Sequence, residues 1–150
     1  MDYDSDAKVL AQHGYAVLQP NFRGSGGFGR SFLQAGYQNW GTTMIDDMTD
    51  GVLHLVKEGI VDQNRVCAYG GSYGGYASAW AATKQTEHFA ASVMFVGISN
   101  NLSKFGTTDI ANEMHLVHAR SYPWEKWQWY LERSPIYYAQ QARTPILIMH

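Results

Sequence analysis

Residues 65–76 read RVCAYGGSYGGY, and within them Gly70-Gly71-Ser72-Tyr73-Gly74 fits the pattern G-x-S-x-G. An apolar strand pattern leads into the five residues and a helical one leads out. That order is what a nucleophile elbow needs: a strained strand-to-helix turn that lifts a serine hydroxyl above a sheet. The flanking glycines suit it, because side chains there would collide with the neighbouring strand and helix. The amide of Tyr73, just after the serine, falls at the start of the helix, where N–H groups and the helix dipole favour developing negative charge. The alternative is a glycine-rich turn with an incidental serine. The strand before and helix after favour the elbow.

Working outward, the chain alternates helix and strand. Ser5 or Asp6 can cap a helix over 7–13 that Gly14 ends, and residues 15–19 (YAVLQ) read as a short strand. Met44, Met48, Val52, Leu55 and Val56 recur at helical spacing over 44–57, with Asp46, Asp47 and Asp50 early and Gly59 beyond the end. Strands are expected at 65–69, 91–96 and 145–149, and a helix over 78–85. Four apolar strands separated by helices imply an α/β fold: a mostly parallel sheet with flanking helices on both faces, joined by right-handed crossovers. Residues 122–138 are rich in aromatics (Tyr122, Trp124, Trp127, Trp129, Tyr130, Tyr137 and Tyr138). Packing of helices onto the sheet explains them more simply than a substrate-facing wall. Pro123 suits the first turn of one short helix there, and Ser134-Pro135 the cap and first turn of another.

A serine hydroxyl needs a histidine to take its proton and a carboxylate to orient that histidine, in the chain order Ser, acid, His. After Ser72 the histidines are His88, His115, His118 and His150. His88 is expected at the far end of the helix from the serine. Asp109 with His115 or His118 has the right order, but lies in a polar segment between strands, whereas the acid belongs just beyond a strand's carboxyl end. His150 ends the last strand without a suitable acid before it. The expectation is that base and acid both lie outside these 150 residues.

Other functions are poorly supported. The stretch 24–29, GSGGFG, satisfies G-x-G-x-x-G and has Asp46 about 20 residues on. Asn21-Phe22-Arg23 stand between it and the strand, only a short glycine-interrupted segment follows, and Asp46 sits inside a helical pattern, so a dinucleotide site is disfavoured. The chain carries 11 Lys plus Arg against 13 Asp plus Glu, without a basic stripe, which argues against nucleic acid or an anionic membrane as partner. No apolar run approaches a membrane span, and the acidic N-terminus has no signal-peptide pattern. Cys67 is the only cysteine, so neither an intramolecular disulfide nor a Cys-based zinc site is available. No metal and no organic cofactor is expected. Compartment and oligomeric state carry no signal.

Several segments together resemble the prolyl oligopeptidase family of serine peptidases. They are GGSYGGY preceded by 61–66 (VDQNRV); 21–29 (NFRGSGGFG), similar to that family's N-[FY]-R-G-S-x-G-[FY]-G loop; Trp40-Gly41 with Asp46, Asp47 and Asp50; and Ser134-Pro135 followed by 144–150 (TPILIMH). The acylaminoacyl-peptidase and dipeptidyl-peptidase-like branches look closest. The resemblance implies a partial α/β-hydrolase fold, with residues 1–150 an internal part of one catalytic domain, its β-propeller upstream and its Asp/His segment downstream of this chain. It implies Ser72 as nucleophile, the Tyr73 amide as oxyanion donor, Ile98 and Asn101 at the pocket for the residue before the scissile bond, and a peptide as substrate. His150 is implied to be the strand-end histidine, not the base, and the second oxyanion donor is implied upstream. The rival readings are an esterase or lipase of the same fold, and a non-catalytic fragment. As it stands, the 150-residue chain is expected to show no peptidase turnover, since losing the base alone costs on the order of 10⁶ in kcat in a related triad.

Overall fold

The computed structural model describes residues 4–150. Three parallel strands form its sheet: β1 (Cys67–Gly71), β2 (Ala91–Phe95) and β3 (Ile146–Met149), in that order across the sheet. Cys67 aligns with Ala91 and Gly71 with Phe95, while Ser92 aligns with Ile146 and Phe95 with Met149. All three carboxyl ends therefore lie along one edge. The helices are α1 (Ser5–Gln12), α2 (Arg30–Gln34), α3 (Thr43–Lys57), α4 (Tyr73–Ala82), α5 (Asn101–Thr107), α6 (Ala111–Glu113) and α7 (Trp127–Glu132). A π-helical turn, Met114–His118, continues α6, and a 3₁₀ segment, Pro135–Gln141, follows α7.

Helix α4 is the spine. Residues from Gly75 to Ala82 are buried apart from Ala77, as befits a helix apolar on nearly every side. One side packs on β1 and β2, where the Ser92 hydroxyl donates to the Ser78 carbonyl at 2.7 Å. The other meets the main core cluster: Trp40, Met44 and Ile45 from α3 and its approach, Tyr76 and Trp80 from α4, with Met114, Ala119 and Tyr130. The core thus sits between helices, on one face of the sheet. The opposite face is largely open: β2 alternates buried Ser92 and Met94 with more exposed neighbours, and every residue of β3 is exposed. Helix α1 reaches that face through Asp6, whose carboxylate accepts from the Tyr69 hydroxyl at 2.6 Å, so the cover expected there is partial among the described residues.

Other expectations need correcting. Residues 15–19 are not a strand. Among the described residues no strand lies alongside to pair their amides, and Leu18 instead touches α3 at Gly51. Asp4, not Ser5 or Asp6, caps α1, its carboxylate accepting from the Asp6 and Ala7 amides at 2.9 and 3.0 Å. Strand β1 begins at Cys67 rather than at residue 65, because Asp62 starts a 3₁₀ turn over Gln63–Arg65. Helix α4 starts immediately after Ser72, five residues earlier than its composition suggests. Pro123 falls in a turn before α7. Ser134 does precede the next helical segment, but its hydroxyl donates to the Tyr130 carbonyl and accepts from the Asn101 amide rather than capping.

Candidate active site

Ser72 stands between β1 and α4 with φ 55° and ψ −113°. Such a backbone is strained for any residue with a side chain, and it persists only where the surroundings hold it. Two hydrogen bonds and close backbone packing do so. The Ser72 amide donates to the Phe95 carbonyl at 3.0 Å, and the Ser72 carbonyl accepts from the Tyr76 amide at 3.0 Å. The chain also closes tightly around the bend: a Cβ on Gly70 would stand 2.5 Å from the Gly74 carbonyl carbon, and one on Gly75 would stand 2.7 Å from both the Phe95 oxygen and the Gly97 Cα. Ser72 itself is exposed. A second strained residue, Val96 at φ 40°, directly follows β2. Both lie at the carboxyl edge of the sheet, where open α/β sheets place their ligands.

Tyr73 opens α4, so its amide is one of the first-turn N–H groups that a helix leaves without an internal partner. Its ring fixes the position. It stacks on Phe22 with centroids 5.3 Å apart, meets Trp40 edge-on at 4.8 Å and lies 5.3 Å from Tyr76. Burial pushes the Tyr73 phenol well above its ordinary range, so it stays neutral and acts by packing.

Ser72 and Tyr73 line a cavity of about 340 Å³. Its apolar wall includes Phe22, Trp40, Met44 and Ile98, and Lys104, Glu113 and His118 also line it. The glycine-rich loop that carries Phe22 is clamped to α3. The Asp47 carboxylate accepts from the Arg23 amide at 2.8 Å and from Arg23 Nε at 2.9 Å, and the guanidinium also reaches the Thr43 carbonyl at 3.3 Å. The hydrogen bond from Arg23 holds the Asp47 carboxyl below its usual value. Among the described residues no strand precedes this loop, and the five-residue α2 follows it.

Glu113 and His118 are five residues apart, a spacing that an α-helix does not bring onto one face. The π-helical turn does: the Ala119 amide bonds the Met114 carbonyl at 2.7 Å, and His118 Nε2 lies 3.1 Å from a Glu113 oxygen. The His118 ring also packs on Trp40 at 4.5 Å. Burial lowers the His118 pKa below the ordinary histidine value, with Glu113 partly opposing. Lys104 Nζ lies 5.5 Å over the Trp40 ring. Sequence reasoning missed this trio as a unit, because nothing in the spacing announces a π turn. The i, i+5 recurrence of a carboxylate and an imidazole is the only trace.

Of the expected site residues, Ser72, Tyr73 and Ile98 meet at the cavity. Asn101 is fully buried beside it: its Nδ2 donates to the Arg133 carbonyl at 2.6 Å and its Oδ1 has no partner. Among the described residues the histidine contacts are with groups other than Ser72, although His118 lines the same cavity. His13 bonds the Val9 carbonyl, His88 faces Glu87, His115 lies 3.4 Å from the Ala111 carbonyl and His118 meets Glu113. His88 precedes β2, at the sheet edge opposite Ser72. The aromatics of 122–138 do not line the cavity. Tyr130 is core, whereas Trp124 and Trp127 are 71% and 57% exposed. Among the described residues no cluster of three or more His, Cys, Asp or Glu could hold a metal ion, and no helix is long and apolar enough to cross a membrane.

The model of the prolyl oligopeptidase family matches residues 1–150. The chain is 40% identical over 148 residues to dipeptidyl aminopeptidase BIII of Pseudoxanthomonas mexicana, a match covering 93% of the chain and 21% of that relative. It is 33% identical to the acylamino-acid-releasing enzyme of Sus scrofa, covering 94% of the chain and 20% of the relative. The solved acylaminoacyl peptidase of Pyrococcus horikoshii superposes with a TM-score of 0.78 at 30% identity, over 85% of this chain and 21% of that one. The chain therefore spans about one fifth of the length of the relatives it matches. Its fold is part of an α/β-hydrolase fold, with a parallel three-stranded sheet that is not closed.

Proposed function

This chain belongs to the prolyl oligopeptidase family, and on that premise we propose that the complete protein is a serine-type peptidase whose nucleophile is Ser72. The observation that carries the proposal is the exposed hydroxyl-bearing residue held at φ 55° between a parallel strand and a helix, at the mouth of a cavity. Ser72 Oγ attacks the carbonyl carbon of a peptide bond, and its proton passes to a general base. The carbonyl electron pair moves onto oxygen, where the Tyr73 amide donates to the new anion. Collapse of that intermediate breaks the C–N bond, and the amine leaves with the proton from the base. Water then attacks the acyl-enzyme in the same manner and restores the Ser72 hydroxyl.

The base, the acid that orients it and a second oxyanion donor come, in this reading, from parts of the catalytic domain outside residues 1–150, with a β-propeller upstream. The length of the relatives supports it, since they are about five times longer than this chain. Ile98 borders the pocket for the residue before the scissile bond. Asn101 supports that pocket from behind through the Arg133 carbonyl.

Matched peptide anilides and esters, given to the complete protein, test the proposal. Hydrolysis of the anilide is expected, and turnover of the ester alone would assign the protein to an esterase instead.

A further inference from the structure

We infer that Lys104 makes the cavity beside Ser72 a receptor for an acidic side chain, so that the complete enzyme cleaves after glutamate or aspartate. This rests on the peptidase reading above and adds the class of residue offered to Ser72.

Lys104 lies on α5, one turn beyond Asn101, and lines the same cavity as Ser72, Tyr73 and Ile98. Its ammonium is held over the Trp40 ring, 5.5 Å from the centroid. A cation in that position is attracted by the ring face but gains no hydrogen bond from it. Its three N–H donors meet no acceptor among the described residues, whose ion pairs are Arg23–Asp47, His88–Glu87 and His118–Glu113. Burial lowers the Lys104 pKa, and only the Glu113 charge works against that. The cavity thus presents a partly desolvated cation without an ion-pair partner, in surroundings where attraction to an opposite charge exceeds that in open water.

Glu113 is differently placed, because His118 already occupies one of its oxygens at 3.1 Å. A basic side chain would have to compete with that contact and would also face Lys104. An acidic side chain meets the ammonium directly, while its methylene groups lie against Ile98, Phe22 and Trp40. An apolar side chain fits the wall but leaves the ammonium without a counter-charge. A glutamyl residue satisfies both parts of the lining.

The test uses the complete protein and four peptide anilides that differ only in the last residue of the acyl part: Glu, Gln, Ala or Lys. The expected result is a kcat/KM for Glu at least about tenfold above Gln, the factor that one good interaction of ~1.4 kcal/mol supplies. Lys104→Met is expected to bring the Glu-to-Gln ratio close to one, and Lys104→Arg to retain most of it. A wild-type ratio of one or less, a preference for Lys, or a ratio that survives Lys104→Met would overturn the inference while leaving the peptidase reading intact. The wild-type ratio stands even if a variant fails to fold. Failure of all four anilides would overturn the peptidase reading, and this inference with it.

Discussion

The Phe95 carbonyl accepts the Ser72 amide at 3.0 Å, and the same oxygen is the wall that a Cβ on Gly75 would strike at 2.7 Å. One backbone group on β2 therefore both fastens the strained bend and sets how close α4 comes to the sheet. The position of the hydroxyl depends on that closeness.

Gly75→Ala is expected to push α4 away from β2, since the obstacles are backbone atoms of Phe95 and Gly97 that cannot rotate aside. Overpacking of this kind costs about 1–3 kcal/mol. Urea unfolding of the complete protein would register the loss, and turnover should fall further than stability alone explains, because Ser72 moves with the helix.

Asp47→Asn is expected to loosen the loop that carries Phe22. The Asp47 pKa is lowered in the folded state by the Arg23 hydrogen bond, so its contribution is complete above the unfolded carboxylate value, about pH 4. It is lost as pH falls through the lowered folded value. Acid titration of thermal stability should show wild type and variant converging at low pH and separated at neutral pH. Curves that run parallel throughout would deny the clamp its electrostatic role.

His118 is expected to titrate below the ordinary histidine value, and Glu113→Gln to lower it further, because Glu113 raises what burial lowers. Folding then favours the neutral ring, so stability falls as pH drops below the unfolded value of about 6.5. NMR titration of the imidazole protons reads both effects, and an upward move in the variant would contradict the assignment of cause.

Tyr76→Phe removes the hydroxyl that donates to the Arg133 carbonyl at 2.7 Å in a fully buried site. Asn101 Nδ2 still serves that carbonyl, so the loss should be about 1 kcal/mol, that of one buried hydrogen bond. Chemical denaturation measures it. A loss several times larger would mean that Tyr76 is holding more than this turn.

The elbow was legible because its demands are local: a strand, glycines where chains touch, a serine between them and a helix after it. The alternation of elements carried the parallel sheet for the same reason, since period and punctuation are written residue by residue. The strand expected at 15–19 failed because an apolar run names no partner: the segment stays exposed, and Leu18 touches α3 at Gly51 instead of a neighbouring strand. The charged end of the cavity was illegible for a different reason. Lys104, Glu113 and His118 converge only because α5 and a π turn fold against Trp40, and no single-helix period predicts that meeting.

The central claim is that Ser72 forms the covalent acyl-enzyme. Its most direct measurement is peptide hydrolysis by the complete protein and by its Ser72→Ala variant, with intact-mass analysis after treatment with a phosphonate that traps activated serines. We predict that the wild type gains one phosphonyl adduct, mapping to Ser72, and that the variant gains none and loses on the order of 10⁶ in kcat. An adduct on another residue, or a variant that still turns over peptide at the wild-type rate, would contradict it.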